Sequence, residues 1–248
     1  MVEPGKSWSV VKEDALNTVF RFLGRNGLEM PLGRFLALNE SLFERYARQE
    51  TKEDRDIADR IKYLELVREL LPELKEGKRN RLAIRANRVF WGVAQGNHRL
   101  APGVRRCLDT LQSKGIRMAV VSNHHNYGSL VARLEEIGIR GYFQTVIASE
   151  KVGVRKPNPE IFEMALHRLR VKKEHAVFVG DSLRTDITGA KNAGLVAILI
   201  QRRRPSFEKK GSLHTRLSEK EGPMSALAEP DLVIESMAGL REALSSLA

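Results

Sequence analysis

Apolar residues in the first part of the chain return at intervals of three and four. "EDALNTVFRFLGRNG" (13–27), "ALNESLFERYARQ" (37–49), "DIADRIKYLELVRELLPEL" (56–74) and "RNRLAIRANRVFWGVAQG" (79–96) carry that period. A helix places residues so spaced on one face, and the pattern therefore predicts amphipathic helices. Glycines close the first and last of these segments, as helix stops do. No convincing strand falls between residues 12 and 95.

From about residue 100 the pattern alternates. Helical segments are "GVRRCLDTLQSKG", "GSLVARLEEIG", "NPEIFEMALHRLR", "DITGAKNAG" and "MAGLREALSSL". Between them lie short β-rich runs: "RMAVVS", "TVIAS", "AVFVG", "VAILI" and "DLVIE". These runs are continuous rather than alternating, so they should be buried on both faces. Strands and helices in alternation make a parallel sheet with helices on both sides, an α/β doubly wound architecture. Three zones follow. Residues 1–11 read as a loop, residues 12–97 as an all-helical domain, and residues 98–248 as the α/β core, with a basic loop at about 201–229.

Composition adds limits. Of 248 residues, 42% are hydrophobic, enough to fill a core. The single cysteine, Cys107, forbids an intramolecular disulfide and reads as a small core residue. No apolar run approaches the roughly 20 residues of a membrane span. "MVEPGKSWSVV" has no signal-peptide pattern, so a cytoplasmic protein that does not engage membranes is expected. The net charge of +11 suits an anionic partner. Much of it is local, because residues 201–220 carry seven Lys or Arg against two Glu. No aromatic interleaving accompanies that charge. Nucleic acid is therefore not the expected partner, and the segment reads as a solvated loop. Lys78, Arg81, Arg85 and Arg88 share one helix face, either as a solvated basic face or as one turned toward an anionic substrate.

In open parallel sheets ligands sit beyond the carboxyl ends of the strands. The first such end carries Ser122 and Asn123. A hydroxyl and an amide there can hold a phosphate oxygen, or cap the next helix. After "TVIAS", the loop "EKVGVRKPNPEIF" holds Lys156 before Pro157 and Pro159. Their stiff backbone can aim an ammonium at a fixed anion, or simply place a surface lysine. "AVFVGDSLRTD" delivers Asp181 at a strand end and Asp186 five residues on, with Gly180 permitting a tight turn. Two carboxylates suit Mg²⁺, which prefers oxygen ligands, although Asp186 could instead cap the following helix.

Taken together, these groups resemble the haloacid dehalogenase superfamily. "VVSN" looks like its second motif, "GVRKPNPEIF" its third and "VGDSLRTDITGAKNAG" its fourth. The resemblance covers residues 100–200 closely, and "PDLVIESMAGLREAL" resembles the last strand and helix of such proteins. It implies a Rossmann-like core with an inserted helical cap. Ser122, Asn123 and Lys156 would bind the transferring phosphoryl group of a small phosphorylated substrate. Asp181 would ligate Mg²⁺, and Asp186 would bind it directly or through water. The "GDS" form resembles the phosphatase branch. Catalysis would rest on positioning and charge neutralisation.

The superfamily's first motif, a strand ending in an aspartate nucleophile, has no counterpart in residues 1–30. Asp14 is the only aspartate there, and it lies in a helical pattern with no apolar strand before it. The expectation is a chain that starts late or is truncated, leaving an open lane between the "AVVS" and "AVFVG" strands. The main expectation is a Mg²⁺-dependent phosphatase working through an aspartyl-phosphate. The alternative is a catalytically inactive relative that binds a phosphorylated ligand or a protein.

Overall fold

The computed structural model describes residues 2–4, 7–53, 56–96, 98–201 and 227–245. Four helices follow a short first strand, β1 (Val2–Pro4): α1 (Trp8–Gly24), α2 (Leu32–Glu53), α3 (Asp59–Leu70) and α4 (Glu76–Gln95). A second short strand, β2 (His98–Leu100), pairs antiparallel with β1 and closes the base of the helical unit. The sequence expectation of a plain loop over 1–11 is therefore corrected. Three of those residues pair with the far end of the helical unit, and α1 begins at Trp8.

The helices form for the reason the sequence suggested. On α1, Val11, Ala15, Leu16, Val19 and Leu23 are buried at three- and four-residue spacing. They meet Tyr63, Leu66 and Val67 of α3 and Leu82, Ala86 and Phe90 of α4 in one core. Phe35 and Tyr63 fill its centre and are almost fully buried. Each such side chain stabilises the unit by roughly 1.5–3 kcal/mol.

The remaining chain alternates as expected. In order come α5 (Val104–Ser113), β3 (Ala119–Ser122), α6 (Tyr127–Glu136), β4 (Thr145–Ala148) and α7 (Ser149–Val152). Then follow α8 (Glu160–Leu169), β5 (Val177–Gly180), α9 (Thr188–Asn192), β6 (Val196–Ile200), β7 (Leu232–Ile234) and α10 (Leu240–Ser245). All pairings among β3 to β7 are parallel.

Strand residues divide by parity between two cores. Val120, Val146, Ile198 and Ile200 face α5, α6 and α10. Ile147, Ala197 and Leu199 face α8 and α9. Period-two alternation thus covers both faces of the sheet with helices, the doubly wound arrangement. Cys107 is buried among the first set, and burial raises its thiol pKa.

The sheet is nevertheless in two blocks. β3 pairs with β4, and β5 pairs with β6, which pairs with β7. Among the described residues no ladder joins β3 to β5. β4 and β6 are buried nearly throughout, whereas β3 and β5 are mostly half-exposed. Neither block lies apart, since both contribute to both cores. Among the described residues no helix is long and apolar enough to cross a membrane. The basic stretch 202–226 lies outside the described residues.

Candidate active site

Lys156 is the centre of the site. It is 9% exposed, and its ammonium lies where the two sheet blocks meet. Nζ donates to Asp186 Oδ1 at 2.6 Å and to the Val121 carbonyl of β3 at 3.0 Å. It also sits 5.4 Å from the ring centroid of Phe178 on β5. An ammonium has three donors, and two are used among the described residues.

Asp186 is held by its neighbours in turn. Oδ2 accepts from the Asp181 N–H at 3.0 Å and the Ser182 N–H at 3.1 Å. The wide helical turn Leu183–Ile187 brings Asp186 back beneath the end of β5. Ser182 starts that turn by accepting from the Thr185 N–H at 3.2 Å. The sequence reads Asp186 as a Mg²⁺ ligand, direct or through water, or as a cap of the following helix. Its carboxylate anchors Lys156 and ties down the Asp181–Ser182 turn. Asp181 stands exposed at the strand end.

Asn123 joins the second strand end to the third. Its Nδ2 donates to the Lys156 carbonyl, and its Oδ1 accepts from the Lys156 N–H, both at 2.8 Å. Sequence reasoning placed Asn123 on the phosphate. In the ligand-free arrangement its side chain stitches the lysine loop to the β3 loop. Ser122, half-buried before it, makes no side-chain hydrogen bond among the described residues, which leaves its hydroxyl for a ligand. Asp14 lies exposed on α1, as expected of a residue outside the chemistry.

The basic face of α4 does not reach this site. Lys78, Arg81, Arg85 and Arg88 are all exposed, and the Arg85 guanidinium lies over the Phe22 ring of α1 at 5.2 Å. The end of α4 that meets the core is Gln95, whose Nε2 is 3.1 Å from His124 Nε2. Ten residues of helix, roughly 15 Å, separate Arg85 from it. The solvated reading of that face is the one the geometry supports.

Sequence reasoning missed a second polar cluster at the seam between the helical unit and the core. Glu50, Asp56 and His125 place one ligand atom each within 4.8 Å of one another, as a metal site would. Cations already stand beside both carboxylates. Lys62 Nζ is 2.8 Å from Glu50 Oε1, and an Arg155 guanidinium nitrogen is 3.4 Å from Asp56 Oδ1. Those cations make the cluster an ion-pair network. Asp59 joins it through Lys62 at 3.3 Å and accepts from Trp91 Nε1 at 2.9 Å. Burial pushes the Asp59 carboxyl up to about 6, against the lowering pull of Lys62 and the Trp91 hydrogen bond. The sequence did carry a signal: Asp59 and Lys62 fall on the same apolar stripe as Tyr63 and Leu66.

With strand-end groups gathered around a buried lysine in a doubly wound core under a helical unit, the class is that of the haloacid dehalogenase fold. The model of the haloacid dehalogenase-like hydrolase family matches residues 20–194, and a related model of HAD-like hydrolases matches residues 153–240. This chain belongs to the haloacid dehalogenase-like hydrolase family. Ribulose-1,5-bisphosphate 5-phosphatase of Halopiger xanaduensis is 34% identical over 166 residues, 65% of this chain and 68% of that one. Glyceraldehyde 3-phosphate phosphatase of Methanothermobacter thermautotrophicus is 42% identical over 102 residues, 40% of this chain. That match spans only 43% of the relative's own length. The 2-haloacid dehalogenase of Pseudomonas syringae pv. Tomato DC3000 superposes with a TM-score of 0.69 at 20% identity, covering 99% of this chain and 96% of that chain. At that identity the likeness speaks for the fold.

Proposed function

We propose that this chain carries the phosphate- and metal-binding part of a Mg²⁺-dependent phosphohydrolase acting on a small phosphomonoester. The observation that carries the reading is the buried Lys156 ammonium, fixed by Asp186 at the junction of the two sheet blocks with one donor unused among the described residues. Ser122 would hold a second phosphoryl oxygen. The donor chemistry fits a hard cation: Asp181 offers a carboxylate at an exposed strand end, where the ion can keep its waters. Bound there, Mg²⁺ would neutralise phosphoryl charge. Named relatives whose substrates are small phosphorylated carbon compounds support the substrate class.

The attacking group is the remaining part. The open edges of β3 and β5 suggest its seat: a strand between them would end beside Lys156. A segment outside the described residues, or one preceding residue 1 in a longer polypeptide, would supply it. Its carboxylate oxygen would bond to phosphorus as the ester P–O bond breaks and the leaving oxygen takes a proton. Water would then cleave the acyl phosphate and restore the carboxylate. A second reading, a relative that binds a phosphorylated ligand without turnover, is favoured by one fact. The only carboxylate bonded to Lys156 among the described residues is Asp186, and both its oxygens are engaged.

Calorimetric titration with inorganic phosphate and Mg²⁺ tests the common part of both readings. Wild type should bind, and Lys156→Ala should weaken binding about tenfold or more through loss of a charge-assisted hydrogen bond. No binding by wild type, or equal binding by the variant, would remove Lys156 from the phosphate role.

A further inference from the structure

Asp56 belongs to the helical unit, in the connector between α2 and α3, yet its carboxylate is buried against the core. Oδ2 accepts from the hydroxyl of Ser149, which is fully buried at the end of β4. Oδ1 faces Arg155, the residue immediately before Lys156, at 3.4 Å. One carboxylate thus holds both ends of the 149–155 segment, the segment that delivers the site lysine. The β3 loop is held from the same side. His125 Nδ1, two residues beyond Asn123, lies 3.9 Å from both Asp56 Oδ2 and Glu50 Oε1. The backbone N–H of Asp59 donates to the His125 carbonyl at 3.4 Å.

These anchors lead to the site in short steps. Asn123 and Lys156 are already locked together by two 2.8 Å hydrogen bonds. The paired loops have little secondary structure of their own to fix them. A buried carboxylate of the helical unit adds a hold on them from outside the core. Buried ion pairs contribute little net stability beside apolar packing, but they select one arrangement, because a misplaced buried charge is costly. Glu50 is itself held next to Lys62 and accepts from the Ile57 N–H at 2.7 Å, which ties the residue after Asp56 to α2.

We propose that Asp56 is a positioning residue. From the helical unit it holds the Asn123 and Lys156 loops in register, so that docking of that unit and assembly of the anion site are one event. The functional meaning rests on the phosphate reading above, whereas the positioning itself can be measured without any ligand. Hydrogen exchange by mass spectrometry on the full chain compares wild type, Asp56→Asn and Ser149→Ala. Asp56→Asn keeps an acceptor for Ser149 and removes the charge facing Arg155. Exchange in both 122–126 and 149–157 should then quicken about tenfold, with 196–200 unchanged. Ser149→Ala, the milder change, should loosen 149–157 alone, and it decides the matter if Asp56→Asn does not fold. Unchanged loops, or equal quickening in every segment, would overturn the proposal. Inorganic phosphate affinity is then read in the same proteins. Asp56→Asn should weaken it about tenfold without touching the anion. Phosphate binding unaffected by Lys156→Ala would count against the functional reading alone, and the exchange data would still judge Asp56.

Discussion

A Cβ on Gly180 would lie 2.4 Å from Asp186 Cβ and 2.5 Å from its Oδ2, closer than side chains can approach. The sequence reading assigned Gly180 to a tight turn. Its φ is not in the left-handed region, so the requirement is space rather than backbone freedom. Gly180→Ala should displace Asp186, free the lysine it anchors and cost about 1–3 kcal/mol of overpacking. Thermal unfolding should shift down and inorganic phosphate affinity should fall together. If alanine leaves both unchanged, Asp186 is not seated beneath β5 as described. At this scale the sequence disclosed which residue types stand at the strand ends, and in what order. It could not disclose that Asn123 and Asp186 face inward to hold Lys156, because that depends on how three loops meet.

α3 is the element where chemistry and packing conflict most. Its buried stripe includes Asp59 and Lys62 beside Tyr63, Leu66, Val67 and Leu70. The Asp59 carboxyl, normally near 3.8, is pushed up to about 6 by burial. Between those values the folded state binds more protons than the unfolded state, so stability falls as pH rises through that window and levels off above it. The effect is at most about 3 kcal/mol. Asp59→Asn keeps an acceptor for Trp91 and removes the titration. Urea unfolding from pH 4 to pH 7 should therefore show the variant gaining on wild type up to about pH 6 and holding level beyond. A constant difference would mean that Asp59 does not titrate there. Helices and strands were legible because periods of 3.6 and continuous β-rich runs are local signals. The seam network was not, since Glu50, Asp56, His125, Ser149 and Arg155 come from segments up to a hundred residues apart.

For the molecule as a whole, the central feature is a doubly wound sheet whose two parallel blocks, among the described residues, are joined by their shared cores and by Lys156 rather than by a ladder. The resemblance to the haloacid dehalogenase superfamily implies a lane between β3 and β5, and among the described residues no ladder joins those strands. On the function proposed above, these blocks hold the anion and Mg²⁺ part of a phosphohydrolase whose attacking carboxylate enters between them. The most direct test is Mg²⁺-dependent release of inorganic phosphate from small phosphomonoesters. It would compare residues 1–248 alone, the same chain extended at its N-terminus by an aspartate-ended strand, and the extended chain carrying Asp181→Asn. Appreciable turnover should be absent from the first, present in the second and lost in the third. Robust turnover by residues 1–248 alone, or an extended chain indifferent to Asp181→Asn, would contradict the proposed function.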